Sequence, residues 1–362
     1  MTLRRFICHV ARKCLPGCAR LARRTIAGVL MAVSAGAALS EPVKLRGVQY
    51  IGDLPTLIAD GQGFFETSGQ DIEVSYGKSG KANLAALRKG EIDYGLMAMT
   101  PFVLDRMRDP SPGGVGDPVI LANLTHGAPN IRIIARQDPL MPAGPGPRSL
   151  EGRRIGLPKG TNAEYLWSLF AAFHGIDVQS IDLVDLGPEQ IVEAFNAGEI
   201  GAAIVWEPWD HSATLVNDRN LTTHDDALFN FYASRWILVA RRSDPARTRR
   251  HRDVLGAYVA AVDWIQGHPG PAARHFRDAW EIGDSAAPGA LLGSAIFNVT
   301  LDWSLFASYR QQLEWARWAG YPVHGGTGSF LSAIETAPLR SVSPASVLLP
   351  RLSPGTGKQE QE

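Results

Sequence analysis

The residues able to do chemistry in this chain are concentrated at predicted helix starts. Asp53 stands before Pro55, Ser79 before Gly80, Thr100 before Pro101, and Thr161 three residues before Glu164. An acid or hydroxyl at such a place caps a helix, and proline suits the first turn. Thr161 with Glu164 spells a capping box. Unpaired N–H groups and the dipole at a helix start favour an anion, and Gly80 lets a ligand approach the backbone closely. This points to binding rather than to a named reaction. There is no HExxH, CxxC or GxSxG motif. The nearest approach to a phosphate loop, Gly77 to Ala82, lacks its first glycine and carries Ala82 where a hydroxyl is required. No catalytic residue, cofactor or metal site is predicted.

The elements that would position these starts come in two copies. GEIDYGLMAMTP begins at Gly90 and GEIGAAIVWEPW at Gly198, 108 residues later. Each follows an amphipathic run (LAALRK, IVEAFNA), and the glycine closes that helix. A small-residue and apolar run follows, 94–99 and 201–205, reading as a strand buried on both faces. Pro101 and Pro208 then suit a new helix start. Upstream of the first copy lie a predicted strand (Lys44 to Tyr50), helix (Pro55 to Phe65), Gly69 and strand (Asp71 to Tyr76). Upstream of the second lie strand Arg153 to Leu157, helix Asn162 to His174, Gly175 and strand Ser180 to Leu186. Strands alternating with helices predict an α/β fold of two similar lobes joined by a hinge, each a mostly parallel sheet flanked by helices. In such sheets ligands bind at the carboxyl ends of the strands.

Further strands are expected at 119–122, 131–135 and Trp236 to Ala240, with the first crossing between lobes in Asn123 to Asn130. Helices are expected at 252–267, 271–280, 286–300 and 302–319. Trp264, Trp280, Trp303, Trp315 and Trp318 read as mostly core, and His126 as a surface or hinge residue. The division is a leader over 1–40, lobe one over 41–129 plus 242–336, lobe two over 130–241, and a disordered tail over 337–362, where Ser, Pro, Gly, Gln and Glu dominate.

The leader has seven basic residues and no acidic one, an apolar run from Ile26 to Leu39, and a small-residue cleavage site at Ala38-Leu39-Ser40. That is the pattern of an export signal, too short to span a membrane. Removing it leaves 29 basic residues against 36 acidic, which argues against a nucleic-acid partner. Cys8, Cys14 and Cys18 all lie in the leader, so the mature chain is expected to lack disulfides and thiolate metal sites. An exported, periplasmic monomer is the expectation.

Four segments in order, GFFE, SGKANLAALRKGEIDYGLM, SLEGRRIGLPKGTNAEYLW and AFNAGEIGAAIVWEPW, resemble the nitrate/sulfonate/taurine group of periplasmic substrate-binding proteins. The resemblance covers about 45 to 335. It implies the type II periplasmic-binding fold and a receptor that captures a small solute between its lobes for the membrane permease of an ABC importer. Solutes of such families include aliphatic sulfonates, taurine, nitrate, bicarbonate and pyrimidine precursors. Carried across by position, the implied ligand contacts are Asp53 and Leu54, then Ser79, Gly80 and Lys81, then Thr100. In lobe two they are Gly160, Thr161 and Asn162, then Trp206 and Glu207. The hydroxyls would hold an anionic head, Trp206 would wall an apolar part, and Asp53 or Glu207 would favour a cationic nitrogen. The plainer readings are that Asp53, Ser79 and Thr161 only cap helices, that Lys81 is solvated and that Trp206 is packing. An enzyme of the same fold acting on a small acid or pyrimidine precursor is the alternative, and an exported sensor a third reading.

Overall fold

The computed structural model describes residues 41–108, 116–127, 131–137, 146–206, 209–211, 221–223, 233–242, 245–281, 292, 295–322 and 330–349. The expected leader, 1–40, and the last thirteen residues lie outside them.

Each copy of the repeat builds a three-stranded parallel unit. In the first, β1 (Val43–Val48) pairs with β2 (Ile72–Gly77) and β3 (Tyr94–Ala98). Between them come α1 (Leu54–Gly61), a short α2 (Phe64–Thr67) and α3 (Gly80–Lys89), and α4 (Met99–Arg108) follows β3. The second copy comes after β4 (Pro118–Gly127) and β5 (Ile131–Arg136). It runs β6 (Arg154–Leu157), α5 (Asn162–His174), β7 (Asp182–Asp185), α6 (Pro188–Asn196) and β8 (Ala202–Trp206). Then come β9 (Leu221–Thr223), β10 (Ser234–Arg241), α7 (Pro245–Gly267), α8 (Pro269–Ala279), β11 (Ala295–Thr300), α9 (Trp303–Trp318) and α10 (Ala337–Val342). The first sheet has the order β11-β4-β10-β3-β1-β2 and the second β7-β6-β8-β5-β9. In both, the strands beyond the parallel three are added antiparallel.

The repeat holds one register. The starts of α1 and α5, of α3 and α6, and of β3 and β8 are each 108 residues apart. Gly90 and Gly198 both sit at positive φ, 75° and 74°, where a left-handed residue ends the helix. β3 and β8 are buried along their whole length, as strands covered on both faces must be. Alternate residues of β8 serve different cores. Ala202, Ile204 and Trp206 join the main cluster, which also takes in the first sheet, while Ala203 and Val205 join a small one with Ile191 and Phe195 of α6.

Several expectations are corrected. The helix expected over Pro55 to Phe65 is two helices, broken where Gly63 takes φ 71°. Of the helix expected at 286–300, residues 295–300 are a strand paired with β4. Their sequence AIFNVT is rich in β-branched and aromatic residues, and a sheet edge was open to receive it. β10 lies between β3 and β4, so the strand expected at Trp236 to Ala240 returns the chain to the first sheet, ahead of the lobe boundary expected at 242. It leaves that sheet between Gly127 and Ile131. The expected tail is ordered as far as 349: α10 packs on α7, and Leu339, Val347 and Leu349 are buried. Average composition hid these few apolar anchors. On α9, Trp315 is core, but Trp303 and Trp318 are 53 % and 73 % exposed, on the face turned from Leu305, Tyr309 and Leu313. Among the described residues no helix is long and apolar enough to cross a membrane.

Candidate functional site

The carboxyl ends of the parallel strands of both sheets meet at one cavity of about 240 Å³. From the first sheet come Val48 and Gln49 after β1, Gly77 to Gly80 between β2 and α3, Ala98 and Pro101 at the β3–α4 junction, and Trp236 of β10. From the second come Thr161 and Asn162 at the start of α5, Glu189 in the first turn of α6, Trp206 at the end of β8 and Trp209 beyond it.

Ser79 begins α3, its hydroxyl accepting the Ala82 N–H at 3.2 Å. Gly80 is needed for packing, since a Cβ there would stand 2.6 Å from Met97 Cβ. That close approach seats the helix start at the end of β3. Asn83, fully buried one turn later, donates from Nδ2 to the carbonyls of Arg46, Gly47 and Leu96 at 2.9–3.1 Å, joining α3 to β1 and β3. Across the cavity, Thr161 caps α5 by accepting the Ala163 N–H at 3.2 Å and donates to Pro158 O at 2.6 Å. Thus Ser79, Gly80, Thr161, Asn162 and Trp206, all expected as contacts, line one cavity.

The other expected contacts fall elsewhere. Lys81, exposed, is not among the lining residues; its Nζ donates to Lys159 O at 2.9 Å, tying the two copies together at the rim. Gly160 lies beside Lys81 at φ 75°. Its N–H goes to Glu164 Oε2 at 2.6 Å, and Tyr321 OH donates to the same oxygen at 2.5 Å. The capping box expected from Thr161 and Glu164 is therefore replaced, because the Glu164 carboxylate accepts from Gly160 N–H and Tyr321 OH instead of from the Thr161 N–H. Burial, and then the Glu164 carboxylate, push the Tyr321 hydroxyl up from its ordinary range.

Asp53 is buried beneath Gly47 and Tyr76 and gives no helix-capping bond. It accepts the Val48 N–H at 2.7 Å and the Thr56 hydroxyl, which also contacts Tyr258 OH at 2.8 Å. Burial pushes its carboxyl up to about 8, with the Thr56 and Val48 hydrogen bonds acting the other way. Leu54 is wholly core, and Thr100, fully buried, donates to Gln312 Oε1 at 2.7 Å. Neither lines the cavity, since the pull of burial at these turns outweighs their place at a strand end. Glu207 lies outside the described residues.

The residues that position alone did not single out are Gln49, Tyr76, Lys78, Glu189, Trp209 and Trp236. One signal was available: Pro101 and Trp209 stand 108 residues apart, as do Ala98 and Trp206, so the repeat register marks both pairs. Trp236 lies outside the repeat and reaches the site only through sheet pairing. It stacks on Tyr50 at 4.5 Å, and its Nε1 is buried with no hydrogen-bond partner. Lys78 and Glu189 pair across the cavity mouth at 3.3 Å, both well exposed. Among the described residues there is no cluster of His, Cys, Asp and Glu able to hold a metal.

Comparison with known proteins agrees with this architecture. Residues 36–276 match the NMT1-like family. A Brucella abortus protein, whose name describes it only as a candidate binding protein, is 27 % identical over 192 residues, 51 % of this chain and 56 % of that one. The chain thus spans about half the length of the curated relatives it matches. Among solved structures, the alkanesulfonate-binding protein SsuA of Xanthomonas axonopodis pv. citri, bound to MOPS, aligns with a TM-score of 0.65 at 17 % identity, over 82 % of this chain and 99 % of that one. The periplasmic nitrate-binding protein NrtA of Synechocystis PCC 6803 aligns at 0.62 and 15 %, over 84 % and 88 %. With well over half its length matched, this chain belongs to the NMT1-like family and has the fold of the periplasmic binding proteins.

Proposed function

We propose that the protein is the periplasmic solute receptor of an ABC importer, holding a small organic anion between its two sheets and presenting it to a membrane permease. One observation carries this reading: helix starts from both copies of the repeat, at Ser79-Gly80 and Thr161-Asn162, face the same cavity. The first turn of each helix has N–H groups without intrahelical partners, and its dipole places positive potential there. An anion bridging both starts would draw the copies together, as in clamp-like binding proteins. The proposed contacts are Ser79, Gly80, Thr161, Asn162 and Trp206. The names of the structural neighbours, an alkanesulfonate-binding and a nitrate-binding protein, fit a solute of this charge.

A thermal-shift screen against sulfonates, carboxylates, nitrate and bicarbonate tests the proposal. A true solute at a hundred times its dissociation constant stabilises the fold by about 2.7 kcal/mol. The stabilising solute is expected to be recovered unchanged and to reduce the radius of gyration in small-angle scattering. A solute that binds tightly without compaction would sink the clamp, and one that is chemically converted would favour the enzyme reading.

A further inference from the structure

We infer that the cavity selects an aromatic monoanion, a single flat ring bearing one sulfonate or carboxylate. This rests on the preceding reading of the cavity as a solute site. The two copies of the repeat line the cavity differently at one register. Where the first copy of the repeat places Ala98 and Pro101, the second places Trp206 and Trp209 at the same register. Trp236 adds a third indole and Tyr76 a fourth ring. Such a lining is costly to leave wet and suits a flat apolar body, because aromatic rings gain from offset or edge contact beyond their buried area.

Size and charge narrow the choice. A cavity of about 240 Å³ leaves most of its space to water around nitrate or bicarbonate, yet falls short of the range typical of larger ligands. Among the described lining residues, the charged side chains are Lys78 and Glu189, paired with one another at 3.3 Å. These two add no net charge, so the anionic end is met by neutral groups, the N–H groups at the starts of α3 and α5 and the Ser79 hydroxyl. Neutral donors match one negative charge better than two.

Calorimetric titration of the protein with benzenesulfonate, benzoate, ethanesulfonate and benzylamine tests this. Benzenesulfonate or benzoate is expected to bind at least tenfold more tightly than ethanesulfonate, and benzylamine not to compete. Trp206→Leu is expected to shrink that ratio at least threefold. Trp209→Leu, at a half-buried position, gives the same readout should the first variant melt early. Equal affinity for the aromatic and aliphatic sulfonates, or preference for benzylamine, overturns the inference while leaving a receptor in place. Failure of every anion, ring-bearing or not, overturns the receptor reading itself.

Discussion

Asp53 and Thr161 occupy the same place in two copies of one unit, 108 residues apart at the turn before α1 and α5, and they do opposite things. Thr161 stays at the cavity wall, its hydroxyl accepting the Ala163 N–H and donating to Pro158 O. Asp53 is turned inward, where it clamps the Val48 N–H and the Thr56 hydroxyl beneath Tyr76. The helices that follow differ in the same sense. Asn83 of α3 ties three strand carbonyls together, whereas its counterpart in α6 is Ile191, packed in a small apolar cluster. The start of α5 is also held from outside its own copy, by Tyr321 through Glu164 and by Lys81 on Lys159 O. The turn before α1 is thus braced by a buried polar network, and the start of α5 depends for part of its order on Lys81 of the first copy and on Tyr321 after α9. A solute that brings the copies together would complete the second site rather than merely fill it.

The sharpest way to break this comparison is pH. The Asp53 carboxyl ionises near 3.8 when unfolded and about 8 when folded. Its contribution to stability is therefore full below pH 4 and lost as the pH rises through 8. Melting temperatures measured from pH 4 to 9 should fall by the equivalent of several kcal/mol, and Asp53→Asn should flatten the curve. A wild-type profile already flat across that window would show that Asp53 is not sealed. Next in size, Asn83→Ala strands three strand carbonyls and should cost about 3 kcal/mol in urea unfolding. Ile191→Val in the second copy should cost about 1 kcal/mol. Equal costs would erase the distinction between a polar brace and an apolar one. Smallest in its effect on stability is Tyr321→Phe, which removes one part-buried hydrogen bond to the Glu164 carboxylate. It should weaken solute binding several-fold with little change in melting temperature. An unchanged affinity would mean that the start of α5 stands without help from Tyr321.

Much of the scaffold was legible in the chain. The repeated GEI segments, the glycines that end their helices and the buried runs that follow are local signals, and each needs only its neighbours to act. The caps at Ser79 and Thr161 were legible for the same reason. β11 and the ordered stretch from Ala337 to Leu349 were not. A short strand at a sheet edge and a few buried apolar residues are stabilised by partners distant in the chain, on other elements. The site divided along the same line. Asp53, Leu54 and Thr100 have cap or loop positions in the sequence, but burial drew them into the core.

What the sequence by itself determined, then, is the duplicated α/β unit and the helix starts at its strand ends, because periodicity, capping and glycine conformation act within a few residues. Only the tertiary structure decided which of those starts share a cavity, that Trp236 joins them from a strand outside the repeat, and that Lys78 meets Glu189. Those outcomes depend on sheet order and on the packing of one copy against the other, where burial outweighs local preference.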